Sequence, residues 1–185
     1  MIMPFLPVLD FIPAQCFMIT HQYQLIQGGI LTEREEPQVH QRILKNTLTS
    51  LHPQLKKSSN HLYALNLQVK IRYFRFITEP DLAITIPHNA FSDQYYSDIW
   101  HNPVVLIEVL SPEDKREHKF KFYRQLASLH EYVRIETDHY RIEHFVKQPT
   151  KEWKSSQIQN WGDMLHLVSV NCDLSLAAVY DKIQI

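Results

Sequence analysis

The hydrophobic period changes along the chain, and each change marks an element. From Val39 onward, Ile43, Leu44, Leu48, Leu51 and Leu55 recur at spacings of three and four, which predicts one apolar helix face. Pro37 suits the first helical turn, and Glu35 and Glu36 sit at the positive end of the helix. Pro53 falls where the last turn would be. In "LNLQVKIRYFRF" (65–76) the period drops to two, with Leu65, Leu67, Val69, Ile71 and Tyr73 alternating with polar residues. That predicts a half-exposed strand. "PDLAITIP" (80–87) predicts a second strand, and 103–110 a third.

Before these, "YQLIQGGILTE" predicts a hairpin around Gly28 and Gly29. After them, 113–128 predicts a helix whose inner side is Phe120, Tyr123 and Ala127. Two strands around Thr137-Asp138-His139 follow, then a strand pair from 152–159 and 160–171. A short closing helix over 173–183 has Asp173 as its expected N-cap. The order is a mixed α/β sheet flanked by helices.

Composition narrows the class. The 185 residues are 44% hydrophobic and 21% charged, with a net charge of −1, enough for one globular domain with a real core. The expected division is an N-terminal arm over 1–20 and a single domain over 21–185. The near-neutral charge means that any nucleic-acid contact must come from a local patch. Three glycines against ten prolines disfavour a Gly-rich phosphate loop. Two distant cysteines, Cys16 and Cys172, form neither a disulfide framework nor a zinc ribbon. A reduced, cytoplasmic setting is the simplest one. No apolar run of about 20 residues is present, so no membrane span is expected. None of the eleven histidines falls in an HxxxH or HExxH pattern, which argues against a dedicated zinc site.

One residue breaks the pattern. From Pro103 to Leu110 every side chain is apolar except Glu108. A strand of that kind is buried on both faces, and an ionised carboxylate there costs several kcal/mol or more unless it is paired or bound to a metal. Asp81, which opens the neighbouring strand "DLAITI", supplies a second carboxylate that two adjacent strands can bring to the same point. Such a pair suits Mg²⁺, which takes one or two carboxylates together with waters and phosphate oxygens, and Mn²⁺ can substitute. A metal there would polarise a phosphodiester and lower the pKa of a bound water. Glycoside hydrolysis and plain salt bridges also use carboxylate pairs. On this view Glu108→Gln is expected to leave the metal-free fold as stable or more stable. The helix after Glu108 carries Lys115, Arg116, Lys119, Lys121 and Arg124 against Glu117 alone. Positions 115, 119 and 123 share a face, so a lysine there can reach back over the strand end.

Together, "PDLAIT", "VVLIEVLSP", "HKFKFYRQLASLHEYV" and "RIETDHYRIEHFVK" resemble the Uma-two-type restriction endonuclease family of the PD-(D/E)XK nuclease superfamily. The resemblance implies a restriction-endonuclease-like fold and a Mg²⁺-dependent endonuclease acting on DNA. It places Asp81 and Glu108 at the metal-binding positions, with the main-chain carbonyl of Val109 as a further oxygen ligand. Leu110 stands where the superfamily has a strand lysine, and Lys119 matches the lysine that the family supplies from the next helix. His40 matches a histidine of the first long helix and is a supporting candidate. Lys115, Arg116, Lys121 and Arg124 are candidate phosphate contacts, and a homodimer is compatible with the class. The chain departs from the family at Gln24, Gln27 and Gly29, where relatives carry acids. Two other readings therefore stand beside the nuclease. One is a catalytically silent nuclease fold that binds nucleic acid or protein. The other is a carboxylate-pair hydrolase with a different substrate.

Overall fold

The computed structural model describes residues 24–26, 29–31, 38–58, 60–64, 68–71, 76–86, 99–100, 103–111 and 117–185. The 1–20 arm, Gln27, Glu35, Glu36, Pro37, Lys115 and Arg116 lie outside the described residues. The elements are β1 (Gln24–Ile26), β2 (Gly29–Leu31), α1 (Gln38–Leu55), β3 (His61–Ala64), β4 (Gln68–Ile71), β5 (Phe76–Thr78) and β6 (Leu82–Thr85). They continue with β7 (Ile99–Trp100), β8 (Val105–Leu110), α2 (Glu117–Tyr123), β9 (Glu131–Glu136) and β10 (Ile142–Lys147). β11 (Trp153–Ile158), β12 (Met164–Leu167), β13 (Cys172–Ser175) and α3 (Leu176–Val179) complete the order.

A six-stranded sheet ordered β11-β10-β9-β8-β6-β3 forms the centre. β8 and β9 are parallel, and every other neighbouring pair in it is antiparallel. Parallel neighbours require a crossover, and α2 lies in the one between β8 and β9. Strand alternation separates two cores. Val105, Ile107 and Val109 join Leu82, Ile84, Val133 and Ile135 under α1, α3 and the β12–β13 hairpin. Leu106, Ala83 and Tyr132 join Val69, Tyr123, Leu126 and Leu129 under α2. Glu108 shares the parity of Leu106, so its side chain belongs to the α2 layer.

The three-and-four pattern of α1 is realised: Ile43, Leu44, Leu48, Leu51 and Leu55 are buried. Pro53 is accommodated inside the last turn. The expected hairpin forms as β1 and β2, with Ile26 opposite Gly29. The expected strand over 65–76 is different: β4 pairs with β5 on one side and β7 on the other in a separate three-stranded sheet. One edge of the central sheet is instead β3, whose alternation is too short to stand out from its surroundings.

The helix expected over 113–128 is described from Glu117 to Tyr123. Its end tightens into three-residue bonds, with Gln125 N–H donating to Phe122 O and Leu126 N–H to Tyr123 O, at 3.0 and 2.9 Å. That rotation buries Leu126 and leaves Ala127 exposed rather than inward-facing. β11 pairs with β10, and β12 with β13, so 152–159 and 160–171 do not pair with each other. Ser175, not Asp173, caps the last helix, its hydroxyl accepting from Ala178 N–H; Asp173 lies within β13. No helix among the described residues is long and apolar enough to cross a membrane.

A buried polar link fastens the C-terminal hairpin to the sheet. Glu131 is fully buried at the start of β9. Its Oε2 lies 2.6 Å from His144 Nε2, and its Oε1 accepts from Ser169 N–H at 2.5 Å. Burial alone would raise the Glu131 pKa, but the bonds from His144 and Ser169 outweigh it and hold the carboxyl below its ordinary value of 4.5. A depressed carboxylate pKa stabilises the fold fully above the unfolded-state value and progressively less as pH falls through the folded one. Melting temperature followed from neutral pH to below the ordinary carboxylate range should therefore fall more steeply in the parent than in Glu131→Gln. Parallel slopes would remove Glu131 from the acid response.

Candidate active site at the end of β6 and β8

The site begins where the β6–β8 ladder ends. Leu82 pairs with Ile107 and Ile84 with Val105. The pairing ends at Leu82, and Asp81 stands just before β6 as a bend after Pro80. Proline has no N–H to continue a ladder. Beyond Leu82 the chain pairs through a side chain: Val109 N–H donates to Asp81 Oδ2 at 2.7 Å. The Pro-Asp order thus both ends the strand and turns a carboxylate onto the end of β8.

Helices from both layers close on these carboxylates. From α1, His40 Nε2 stands 3.4 Å from Asp81 Oδ1, with both side chains almost completely buried. From α2, Lys119 Nζ lies 3.3 and 3.4 Å from Glu108 Oε1 and Oε2, and 3.4 Å from the Glu79 carbonyl. Tyr123, one turn further, donates its hydroxyl to Glu108 Oε1 at 2.7 Å. Glu108 is 0% exposed and Lys119 6%. The helix is seated by aromatic packing: Phe120 stacks on Tyr132 at 4.9 Å and meets Phe145 at 4.6 Å and Trp153 at 5.2 Å. On β9, Arg134 is the register neighbour of Glu108 and pairs with Glu143.

The structure therefore brings Asp81, Glu108, Val109, Lys119 and His40 together. Lys121 and Arg124 are exposed on and just after α2. Gln24 and Gly29 lie in the β1–β2 hairpin. Leu110 is half-buried two residues beyond Glu108. Tyr123 is the residue that sequence reasoning placed only in the core. Its signal was the i,i+4 spacing from Lys119, which puts both on one helix face.

The ion pair revises one expectation. Glu108 is matched by an ammonium and a phenol rather than left as an isolated buried charge. Removing one partner of a buried pair costs about 3–5 kcal/mol, so Glu108→Gln is expected to destabilise the metal-free fold.

The donor chemistry suits a hard divalent cation. Asp81 and Glu108 are buried carboxylates on neighbouring chain segments, and carboxylate oxygens are donors of the kind Mg²⁺ and Mn²⁺ take. Among the described residues, Glu136, Asp138 and His139 form the group of three possible ligands whose atoms lie within 4.8 Å of one another. There Arg141 already pairs with Glu136, and the group lies at the β9–β10 turn.

A mixed six-stranded sheet flanked by helices is the restriction-endonuclease-like fold. The chain shares its fold with a protein from Anabaena variabilis ATCC 29413, described as "a putative nuclease belonging to DUF820". The TM-score is 0.68 at 14% identity, over 85% of this chain and 88% of that one. The Uma2 family, described as "Putative restriction endonuclease", matches residues 14–178, and the chain belongs to that family. It is also 26% identical over 143 residues to the uncharacterized protein sll1609 of Synechocystis sp. (strain ATCC 27184 / PCC 6803 / Kazusa), covering 75% of this chain and 80% of that protein.

Proposed function

We propose that this protein is a Mg²⁺-dependent endonuclease that hydrolyses phosphodiester bonds of DNA in the cytoplasm, with Mn²⁺ able to replace Mg²⁺. One observation carries the reading: a buried aspartate accepts from the Val109 amide, the residue next to a buried glutamate, and a lysine from the next helix lies on that glutamate. Asp81 and Glu108 would hold the cation, and the Val109 carbonyl would add a third oxygen. When bound, the cation supplies Lewis-acid polarisation of the phosphoryl oxygen and a more acidic water.

The chain's own residues do the rest. Lys119 carries the nearby positive charge. Its ammonium can swing from Glu108 to a phosphate oxygen, stabilising the negative charge that grows there. His40 holds Asp81 in place by contacting Oδ1 while Val109 N–H holds Oδ2. The exposed Lys121 and Arg124 can contact flanking phosphates, which position a nucleic acid without reading its sequence.

The test is cleavage of DNA and RNA substrates with several divalent ions. Asp81→Asn keeps an oxygen that can accept from Val109 N–H, so the fold should survive. Cleavage should fall by at least about 100-fold, since outer-shell changes alone cost roughly 10–100-fold. Unchanged cleavage in Asp81→Asn would remove Asp81 from the reaction.

A second reading has its own support. Both carboxylates are already matched by protein groups, Asp81 by Val109 N–H and His40, and Glu108 by Lys119 and Tyr123. A catalytically silent fold that binds nucleic acid or protein would look the same. A parent protein inactive with every ion and nucleic acid tried would favour it.

A further inference from the structure

We propose that Tyr123 is the positioning residue that makes Glu108 a one-oxygen ligand and so tunes the site for Mg²⁺ over Ca²⁺; this rests on the metal-binding reading above. Tyr123 is fully buried, and its hydroxyl lies 2.7 Å from Glu108 Oε1. That is the length of a charge-assisted O–H···O⁻ bond. The contacts of Lys119 with the same carboxylate are longer, at 3.3 and 3.4 Å.

The terminal torsion of a glutamate is broad and weakly restrained by itself. A short bond to one oxygen restrains that torsion and occupies one lone pair of Oε1, beside the longer Lys119 contacts. With the phenol on Oε1, ligation through Oε2 is favoured over chelation by both oxygens. The phenol is well placed to enforce this because its ring is locked. It packs 5.6 Å from Tyr132 in the core beneath α2, and Tyr132 is itself stacked on Phe120.

The two cations differ in what they tolerate. Mg²⁺ demands a near-ideal octahedron at roughly 2.0–2.1 Å and is poorly served by a bidentate carboxylate. Ca²⁺ takes 6–8 oxygens at about 2.3–2.6 Å and accepts bidentate carboxylates readily. Removing the phenol's short bond from Oε1, with Lys119 still beside the carboxylate, therefore weakens the one-oxygen geometry that suits Mg²⁺ and favours the chelating one that Ca²⁺ uses.

Calorimetric titration of the full chain with Mg²⁺ and with Ca²⁺ tests this without any cleavage assay. In Tyr123→Phe the ratio of Mg²⁺ to Ca²⁺ affinity should fall by about 10-fold, within the range of outer-shell substitutions. A variant carrying 4-aminophenylalanine at position 123, whose amine donates from the same place, should recover most of the ratio. That recovery separates hydrogen bonding from ring packing, and it stands even if Tyr123→Phe itself folds poorly. An unchanged ratio in a folded Tyr123→Phe protein, or no recovery with the amine, overturns the inference while leaving the metal site standing. A parent that binds neither ion overturns the metal reading, and this inference with it.

Discussion

Glu108→Gln is expected to abolish Mg²⁺-dependent cleavage and Mg²⁺-dependent thermal stabilisation together. The glutamate is a proposed metal ligand, and an amide oxygen without charge is a poor substitute for a hard cation. The same change leaves the Lys119 ammonium without its carboxylate partner in a site where both are nearly inaccessible. Loss of one member of a buried pair costs about 3–5 kcal/mol, so the metal-free variant should melt well below the parent. The Tyr123 hydroxyl can still donate to the amide oxygen, which limits the damage to the charge itself. Melting curves with and without Mg²⁺, run beside a cleavage assay, check all three effects. A variant as stable as the parent and still stabilised by Mg²⁺ would mean that Glu108 is neither ligand nor ion-pair partner.

Lys119→Ala should separate catalysis from metal binding. Loss of one preorganised charge aimed at a transition state costs roughly 10²–10³-fold in rate, and a loss of that size is expected here. The ammonium is not a ligand, so the carboxylates still bind a cation. Without metal, the variant leaves Glu108 with Tyr123 but without the contacts from Lys119 to Oε1 and Oε2. A bound divalent ion supplies the missing positive charge. The rise in melting temperature on adding Mg²⁺ should therefore be larger in Lys119→Ala than in the parent, because ligand binding to the native state adds stability by mass action. Adding Leu110→Lys should recover part of the rate. Residue 110 lies two positions beyond Glu108, on the same side of β8, and it is only half-buried. Parent-like cleavage by Lys119→Ala would end the case for a lysine supplied from α2.

The main elements were legible because their periods are strong. α1 announces itself through Ile43, Leu44, Leu48, Leu51 and Leu55, and β8 through an apolar run broken only by Glu108. The turn at Thr137-Asp138-His139 likewise marked the β9–β10 hairpin. Those signals are local: they need only side-chain alternation and the cost of burying a charge. Asp81 is legible as the carboxylate that opens the neighbouring strand, whereas the roles of Lys119, Val109 and His40 rest on the family resemblance. The end of α2 was misjudged because a basic, aromatic segment keeps a helical pattern beyond Tyr123, while the backbone has already tightened to bury Leu126. The cap at Ser175 was missed for a related reason, since Asp173 and Ser175 are both good caps and only the pairing of β13 with β12 excludes the first.

Sequence by itself therefore determined the order of the main elements, the mixed α/β class and the carboxylate in a buried strand. Tertiary structure decided which groups answer that carboxylate. Lys119 and Tyr123 reach Glu108 only because α2 is seated on the sheet by Phe120 against Tyr132, Phe145 and Trp153. His40 meets Asp81 only because α1 packs on the opposite layer, 41 positions away in the chain. Such contacts depend on how faces dock across the sheet, and neither period nor propensity encodes that docking. A charge buried in one strand is visible in the sequence; its partners are fixed only when separate layers close around it.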